Sequence, residues 1–157
     1  MKLSTKEDIE APLAFVYAAL TDFEGWERAA MRRGAEVTRT DNLASPEVDM
    51  AWQVKFTYRG KLRDVAIRVA RLEPPHHIEF VSKSGAIEGV LTLDLLELAA
   101  RRTRVTVTSE TVAHSMSAKL LLQSLRLAKA KVTRKFEARV AQFGSEIGDR
   151  FRAPPKR

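Results

Sequence analysis

The chain has 157 residues, of which 45% are hydrophobic, and this length and composition fit one folded domain with a full-sized core. It contains no cysteine, which excludes a disulfide framework, a cysteine-ligated zinc ion and a thiol nucleophile. The net charge of +7 is uneven: residues 1–114 carry 16 basic and 17 acidic side chains, whereas residues 115–157 carry 11 basic and 3 acidic ones. No segment has the features of a signal peptide or the roughly 20 apolar residues of a membrane span, so we expect a soluble, cytoplasmic protein.

The N-terminal segment predicts one strand followed by two short helices. Residues 3–9 alternate loosely between apolar and polar side chains, as a strand does, and Pro12 suits the first turn of the helix that follows. Asp22 can cap a second helix, and Gly34 suits its end. The two helices are therefore predicted over about residues 12–32.

From Ala35 onward the apolar residues recur at every second position, which predicts consecutive strands. The clearest alternation is residues 50–58. The predicted strands cover residues 36–41, residues 50–58, a segment carrying Val65, Ile67 and Val69, and residues 77–82, 87–98 and 103–112. Because the connections between them are short, the strands should form an antiparallel meander.

The last third of the chain predicts one long amphipathic helix, which Ser115 or Ser117 can cap. Its apolar stripe, spaced at three and four residues, consists of Leu121, Leu125, Ala128, Val132, Phe136, Val140, Phe143 and Ile147. Such a stripe is stable only when an apolar surface covers it, and a curved sheet would supply one. Periodicity is lost after Ile147, so we predict a single domain over residues 1–147 and a flexible basic tail over residues 148–157.

Three segments, taken in this order, carry a resemblance to a known family. They are DIEAPLAFVYAALTDFEGWERA near the N-terminus, YRGKLRDVAIRVARLEPPHHIEFVS in the centre, and RTRVTVTSE before the long helix. Over residues 3–147 the chain resembles the START-like superfamily, also called SRPBCC or helix-grip proteins. In character it is most similar to the small bacterial members described as polyketide cyclase- or dehydrase-like and to the coenzyme Q-binding group.

The resemblance implies an α+β helix-grip fold. In that fold a curved antiparallel sheet of about seven strands wraps around a long C-terminal helix, and two short helices follow strand 1. The resemblance also implies a cavity between sheet and helix that holds a hydrophobic small molecule or lipid. The same fold hosts many activities, so it does not fix the function.

Strand parity selects the residues that would face such a cavity. The predicted ligand-binding residues are Trp52, Val54, Phe56, Tyr58, Val65, Ile67, Val69, Phe80, Leu91, Leu93 and Val105 from the sheet, with Leu121 and Leu125 from the helix. Apolar walls of this kind describe many small-molecule sites, and they describe a filled core equally well. Tyr58 and Trp52 carry polar tips that could orient a ligand, but no residue is assigned a catalytic role.

No motif indicates a metal ion, a cofactor or a nucleotide. His76, His77 and His114 lack metal-ligand spacing, and the chain has neither a glycine-rich phosphate loop nor a GxSxG nucleophile. We therefore expect binding or transport of a hydrophobic small molecule or lipid without a cofactor. The alternatives are a polyketide cyclase- or dehydratase-type enzyme and an interaction protein that uses the basic helix.

The basic face of the long helix defines the partners of that last alternative: RNA, the ribosome or an anionic membrane. Lys131, Arg134 and Lys135 are the residues expected to meet an anionic membrane surface. Aromatic residues do not interleave with the basic ones, which argues against nucleic acid. The oligomeric state stays open.

Overall fold

A computed structural model describes residues 1–153, and its centre is a single antiparallel sheet of seven strands. The strands are β1 (Lys2–Ile9), β2 (Glu36–Arg39), β3 (Ala51–Tyr58), β4 (Lys61–Glu73), β5 (His77–Ser84), β6 (Ile87–Ala99) and β7 (Arg102–Ala113). Their order in the sheet is β1-β7-β6-β5-β4-β3-β2. The predicted meander is confirmed, and β1 joins it by pairing with the last strand.

Within residues 1–153, four helices accompany the sheet: α1 (Leu13–Leu20), α2 (Phe23–Arg32), α3 (Met116–Leu127) and α4 (Lys129–Arg152). Two predicted N-caps are confirmed. The Asp22 carboxylate accepts a hydrogen bond from the Gly25 N–H at 3.2 Å, and the Ser115 hydroxyl accepts one from the Ala118 N–H at 3.1 Å. None of the helices within residues 1–153 is both long and apolar enough to cross a membrane.

The α+β helix-grip architecture is confirmed, with the long C-terminal helix packed beside β1. Gly144 of α4 allows a close approach, because a Cβ atom there would lie 2.8 Å from the Cγ atom of Glu7. At the far end of α4, the ring of Phe151 packs edge-on against Phe15 of α1, with centroids 5.1 Å apart. The helix is therefore anchored to β1 and α1 by its second half.

The core fills only one end of the space between the helices and the sheet. Its fully buried side chains include Val16 of α1, Ile78 of β5 and Ile147 of α4. Thr103 is also fully buried, and its hydroxyl donates a hydrogen bond to the Ala11 carbonyl at 2.9 Å. A second, smaller cluster groups Phe23, Met50, Trp52 and Val69 near β2 and β3.

Two predictions about the C-terminal region need correction. The predicted single helix is divided at Ala128, whose φ of −103° and ψ of 23° lie outside helical values. The predicted domain boundary at Ile147 falls inside α4, because the helix continues to Arg152 and Phe151 has an aromatic partner. Residues 154–157 of the predicted tail lie outside the described residues.

Asp41, in the connection between β2 and β3, holds this edge of the sheet together. The Arg39 guanidinium donates to its carboxylate at 2.8 Å, and the backbone N–H groups of Leu43 and Ala51 donate to it at 2.8 Å each. The Arg39 side chain, helped by those two N–H groups, holds the pKa of Asp41 well below its ordinary value.

We expect Asp41→Asn to lower stability at pH 7 and to have less effect in acid. A carboxyl group whose pKa is lowered by folding stabilises the native state above its unfolded pKa of about 4, and loses that effect as the pH falls further. The check is urea unfolding of the wild type and the variant at neutral pH and below pH 4. A difference in midpoint that stays constant with pH would contradict the assignment.

Candidate functional site

A cavity of about 780 Å³ lies between the sheet and α4. The sheet wall is apolar and comes from the alternating side chains of β3 to β6. It consists of Trp52, Val54, Phe56, Val65, Ile67, Phe80, Leu91 and Leu93. The opposite wall is one stripe of α4, formed by Phe136, Val140, Phe143, Gly144 and Ile147. α2 and β7 close the sides, with Phe23, Trp26, Val105 and Val107 among the side chains that line them.

The cavity exists because the helical cover of the sheet is incomplete. The part of α4 that lines it begins at Phe136, and no described residue from 112 to 135 contributes a side chain. α3 faces elsewhere: it buries Ala118 and Leu122 and leaves most of its surface exposed. Many apolar side chains of the sheet wall, such as Leu91, are consequently only half-buried although they point inward.

Nine of the thirteen sequence-predicted site residues line the cavity: Trp52, Val54, Phe56, Val65, Ile67, Phe80, Leu91, Leu93 and Val105. They are brought together because they occupy one face of adjacent, paired strands. In the register, Trp52 lies opposite Ile67, Val54 opposite Val65, and Phe80 opposite Leu91. Their contact with a ligand remains a prediction.

The other four predicted site residues lie away from the cavity. Tyr58 has the expected parity, but it ends β3 at the hairpin, is half-exposed and stacks under the Arg59 guanidinium at 5.4 Å. Val69 is fully buried in the smaller core cluster, where neighbouring side chains fill the space around it. Leu121 and Leu125 are on α3, which does not reach the cavity, and Leu121 is exposed. The division of the helix at Ala128 explains both helix misassignments.

Four hydroxyl groups form a polar rim that the sequence analysis missed. They belong to Ser82, Ser84, Ser109 and Thr111, and all four line one end of the cavity. Ser82 of β5 and Thr111 of β7 flank Gly89 of β6, the strand that lies between them and pairs with both. A Cβ atom at Gly89 would lie 2.8 Å from the Ser82 hydroxyl oxygen, so glycine leaves this hydroxyl accessible. Strand parity places Ser82, Ser109 and Thr111 inward, and their polarity kept them off the predicted list. Ser84 was missed because the predicted strand ended at residue 82, whereas β5 continues to Ser84.

Charged groups also reach the lining. The Glu27 carboxylate of α2 accepts a hydrogen bond from the indole N–H of Trp52 at 2.7 Å, and it lies 3.8 Å from a nitrogen of the Arg39 guanidinium. Glu7 of β1 and Arg139 of α4 line the side where the helix meets the sheet. The cavity lining can contact an apolar molecule over most of the molecule's surface and can form hydrogen bonds with a few polar groups at the molecule's ends. Tyr58, one of the two residues whose polar tips were expected to orient a ligand, does not line the cavity.

Comparison with known proteins identifies the fold. No protein-family profile and no curated protein matches the chain. Among solved structures, the Zhui aromatase/cyclase of Streptomyces sp. R1128 is similar with a TM-score of 0.68 and 16% identity, over 98% of this chain and 96% of that one. The protein TTHA0849 of Thermus thermophilus is similar with a TM-score of 0.66 and 17% identity, over 96% and 97% of the two chains.

A third similar structure carries a different description. PFC0360w, an HSP90 activator of Plasmodium falciparum, matches with a TM-score of 0.52 and 17% identity over 73% of this chain and 76% of that one. An aromatase/cyclase and an HSP90 activator thus share this architecture, which is why the likeness shows the fold and not the activity. The resemblance seen in the sequence is confirmed at the level of the fold: the chain has the α+β helix-grip architecture that these solved structures share.

Proposed function

We propose that the protein binds a hydrophobic small molecule or lipid in the cavity between the sheet and α4, and that it carries this ligand in the cytoplasm. The observation that supports the proposal is the inward-facing apolar wall of β3 to β6, whose side chains, apart from the buried Trp52, keep part of their surface exposed where they line the cavity. Apolar surface left in contact with water is unfavourable by about 25 cal/mol per Å². A ligand that covers this wall recovers that free energy.

The size of the cavity supports the same function. Small-molecule sites span about 300–1,000 Å³, and the volume of about 780 Å³ lies within that range. The lining is also chemically divided, with apolar walls along most of its length and the hydroxyl rim at one end. The ligand that fits best is an amphiphile with a long apolar body and one neutral polar group directed at Ser82 and Thr111.

Titration with a neutral, environment-sensitive fluorescent dye such as Nile red tests the proposal. We expect saturable binding at one dye per protein, with emission shifted to the blue as the dye leaves water. A long-chain fatty alcohol should displace the dye, because it carries the predicted apolar body and neutral polar end. Organic extraction of the purified protein would then identify the class of any ligand that co-purifies.

The dye titration also defines failure. Binding that does not saturate, or that a fatty alcohol cannot compete, would mean that the dye adsorbs to exposed apolar surface outside the cavity. The proposal would then be wrong, since a cavity of this volume should hold the dye at a fixed stoichiometry.

A further inference from the structure

Helix α3 is apolar both on the face that it buries and on the opposite face, which is exposed to solvent. Its buried face consists of Ala118 and Leu122. The opposite face is apolar as well, since Met116, Leu120 and Leu127 are 72%, 57% and 89% exposed. At about 100° per residue these three side chains fall within roughly 40° of one another, so they form one stripe that points to solvent.

The surroundings of this stripe are strongly basic. Residues 111–136 contain six Lys or Arg side chains and no Asp or Glu. The six are Lys119, Arg126, Lys129, Lys131, Arg134 and Lys135; all are exposed, and none forms an ion pair within the described part of the chain. Lys119 and Arg126 share α3 with the stripe, and the other four follow at the start of α4. An exposed apolar stripe on a basic segment is the pattern of a helix that lies in the interface of an anionic bilayer.

The same end of the molecule carries a second exposed apolar and basic element. The hairpin between β3 and β4 exposes Tyr58 and Leu62 beside Arg59 and Lys61. Two hydrogen bonds fix this hairpin and the start of α3 to the same end of the sheet. The Ser84 hydroxyl donates to the Asp64 carbonyl at 2.9 Å, and the His114 N–H donates to the Ala86 carbonyl at 2.7 Å. The cavity extends to this end through Ser84 and Thr111.

We propose that this surface, called here the α3 surface and made of the Met116, Leu120 and Leu127 stripe with its six neighbouring cations, docks the protein on an anionic lipid bilayer. The cations attract the phosphate and carboxylate groups of the lipids, and the stripe enters the boundary between head groups and acyl chains. This docking places one end of the cavity near the membrane. It does not require that the cavity hold a ligand.

Charge selects the bilayer over other partners. A second copy of the chain would bring six unpaired cations against six others in a two-fold interface, which opposes self-association through this surface. Nucleic acid would satisfy the cations, but contacts to phosphates leave the three apolar side chains in water. A bilayer with anionic head groups satisfies both components at once.

Co-sedimentation with vesicles tests the proposal on the full chain. We compare vesicles of phosphatidylcholine with vesicles of phosphatidylcholine and phosphatidylserine. The wild type should sediment only with the anionic vesicles, and binding should fall steeply with added salt. The double variant Leu120→Ser/Leu127→Ser should bind at least tenfold more weakly, and so should Lys131→Glu/Arg134→Glu.

Leu96→Ser provides the matched control. Leu96 is 57% exposed, the same fraction as Leu120, but it belongs to β6 outside the α3 surface. Its substitution should leave vesicle binding unchanged. Circular dichroism and the dye titration verify that all variants keep the fold and the cavity, so a loss of vesicle binding is distinguishable from a failure of the proposed function.

Three results would overturn the proposal. The wild type could bind both vesicle types equally or neither type. Leu120→Ser/Leu127→Ser could bind like the wild type, which would leave the stripe without a role. The surface could also belong to another partner. Light scattering would show this if the wild type forms a dimer and the double variant is a monomer. RNA would show it if it displaces the wild type from vesicles and the double variant binds RNA as tightly as the wild type does.

Discussion

Leu91→Asp and Phe56→Asp should each weaken dye binding at least tenfold while the protein stays folded. Both side chains line the cavity and are half-buried, so a carboxylate at either position keeps contact with cavity water and the fold tolerates it. A ligand that fills the cavity removes that water and leaves the charge unpaired in an apolar site, which is strongly unfavourable. We expect the dissociation constant to rise at least tenfold, equivalent to about 1.4 kcal/mol.

Thr108→Asp is the control for these two variants. Thr108 lies on the outer face of β7, where its hydroxyl contacts that of Ser4 at 3.3 Å. The same carboxylate introduced there should leave dye binding unchanged. If Leu91→Asp and Phe56→Asp both unfold the protein, as a charge in a packed core would, then the space between sheet and α4 is filled and the cavity does not exist in solution.

Ile78→Ala should destabilise the protein by about 2–5 kcal/mol, because it removes a fully buried side chain and leaves a void in a close-packed region. Ile78 packs in the larger core cluster with Val16, Leu95 and Ile147. The substitution lies outside the cavity lining, so dye affinity should change little at temperatures where the variant is folded. Urea unfolding followed by circular dichroism measures the free energy.

Leu91→Ala should destabilise the protein less than Ile78→Ala does, and comparing the two variants distinguishes the cavity wall from the packed core. Leu91 has a similar volume to Ile78 but already faces the open cavity, so its truncation removes only part of an apolar contact and should cost about 1 kcal/mol. A loss as large as that for Ile78→Ala would show that the sheet wall is packed against other side chains. Together the two variants map where the core ends and where the cavity begins.

The sheet and its inward face were predictable because they depend on local pattern. The alternation of Trp52, Val54 and Phe56 sets their common face, and pairing with Ile67 and Val65 follows from a short hairpin. The caps Asp22 and Ser115 were predictable for the same reason: a side-chain oxygen three residues before a free N–H is a local arrangement.

The course of the C-terminal helices was not predictable from pattern. The 3.6-residue period runs without interruption from Leu121 to Ile147, and Ala128 is a strong helix former with no glycine or proline beside it. Of the two helices that replace the predicted one, only α4 packs beside β1, where Gly144 permits close contact. α3 packs instead against β7. That choice depends on tertiary packing, so the sequence could not show that Leu121 and Leu125 leave the cavity uncovered.

The size of the cavity could not be predicted from the sequence for the same reason, since volume depends on distances between elements and not on side-chain parity. Part of the hydroxyl rim could have been predicted. Ser82 follows Ile78 and Phe80 on one face of β5, and Thr111 follows Val105 and Val107 on one face of β7. Both hydroxyl residues have the same parity as the inward-facing apolar residues of their strands, so the alternation alone predicts that they face the cavity.

The central claim is that an open apolar cavity between the sheet and α4 accepts a ligand. A crystal structure of the protein grown with the neutral dye tests it most directly. We expect electron density for one dye molecule between Phe136 and Val140 of α4 and the wall formed by Val54, Phe80 and Leu91. The claim would be contradicted if the side chains of α4 and the sheet packed directly against each other and the dye were absent or bound only at the surface.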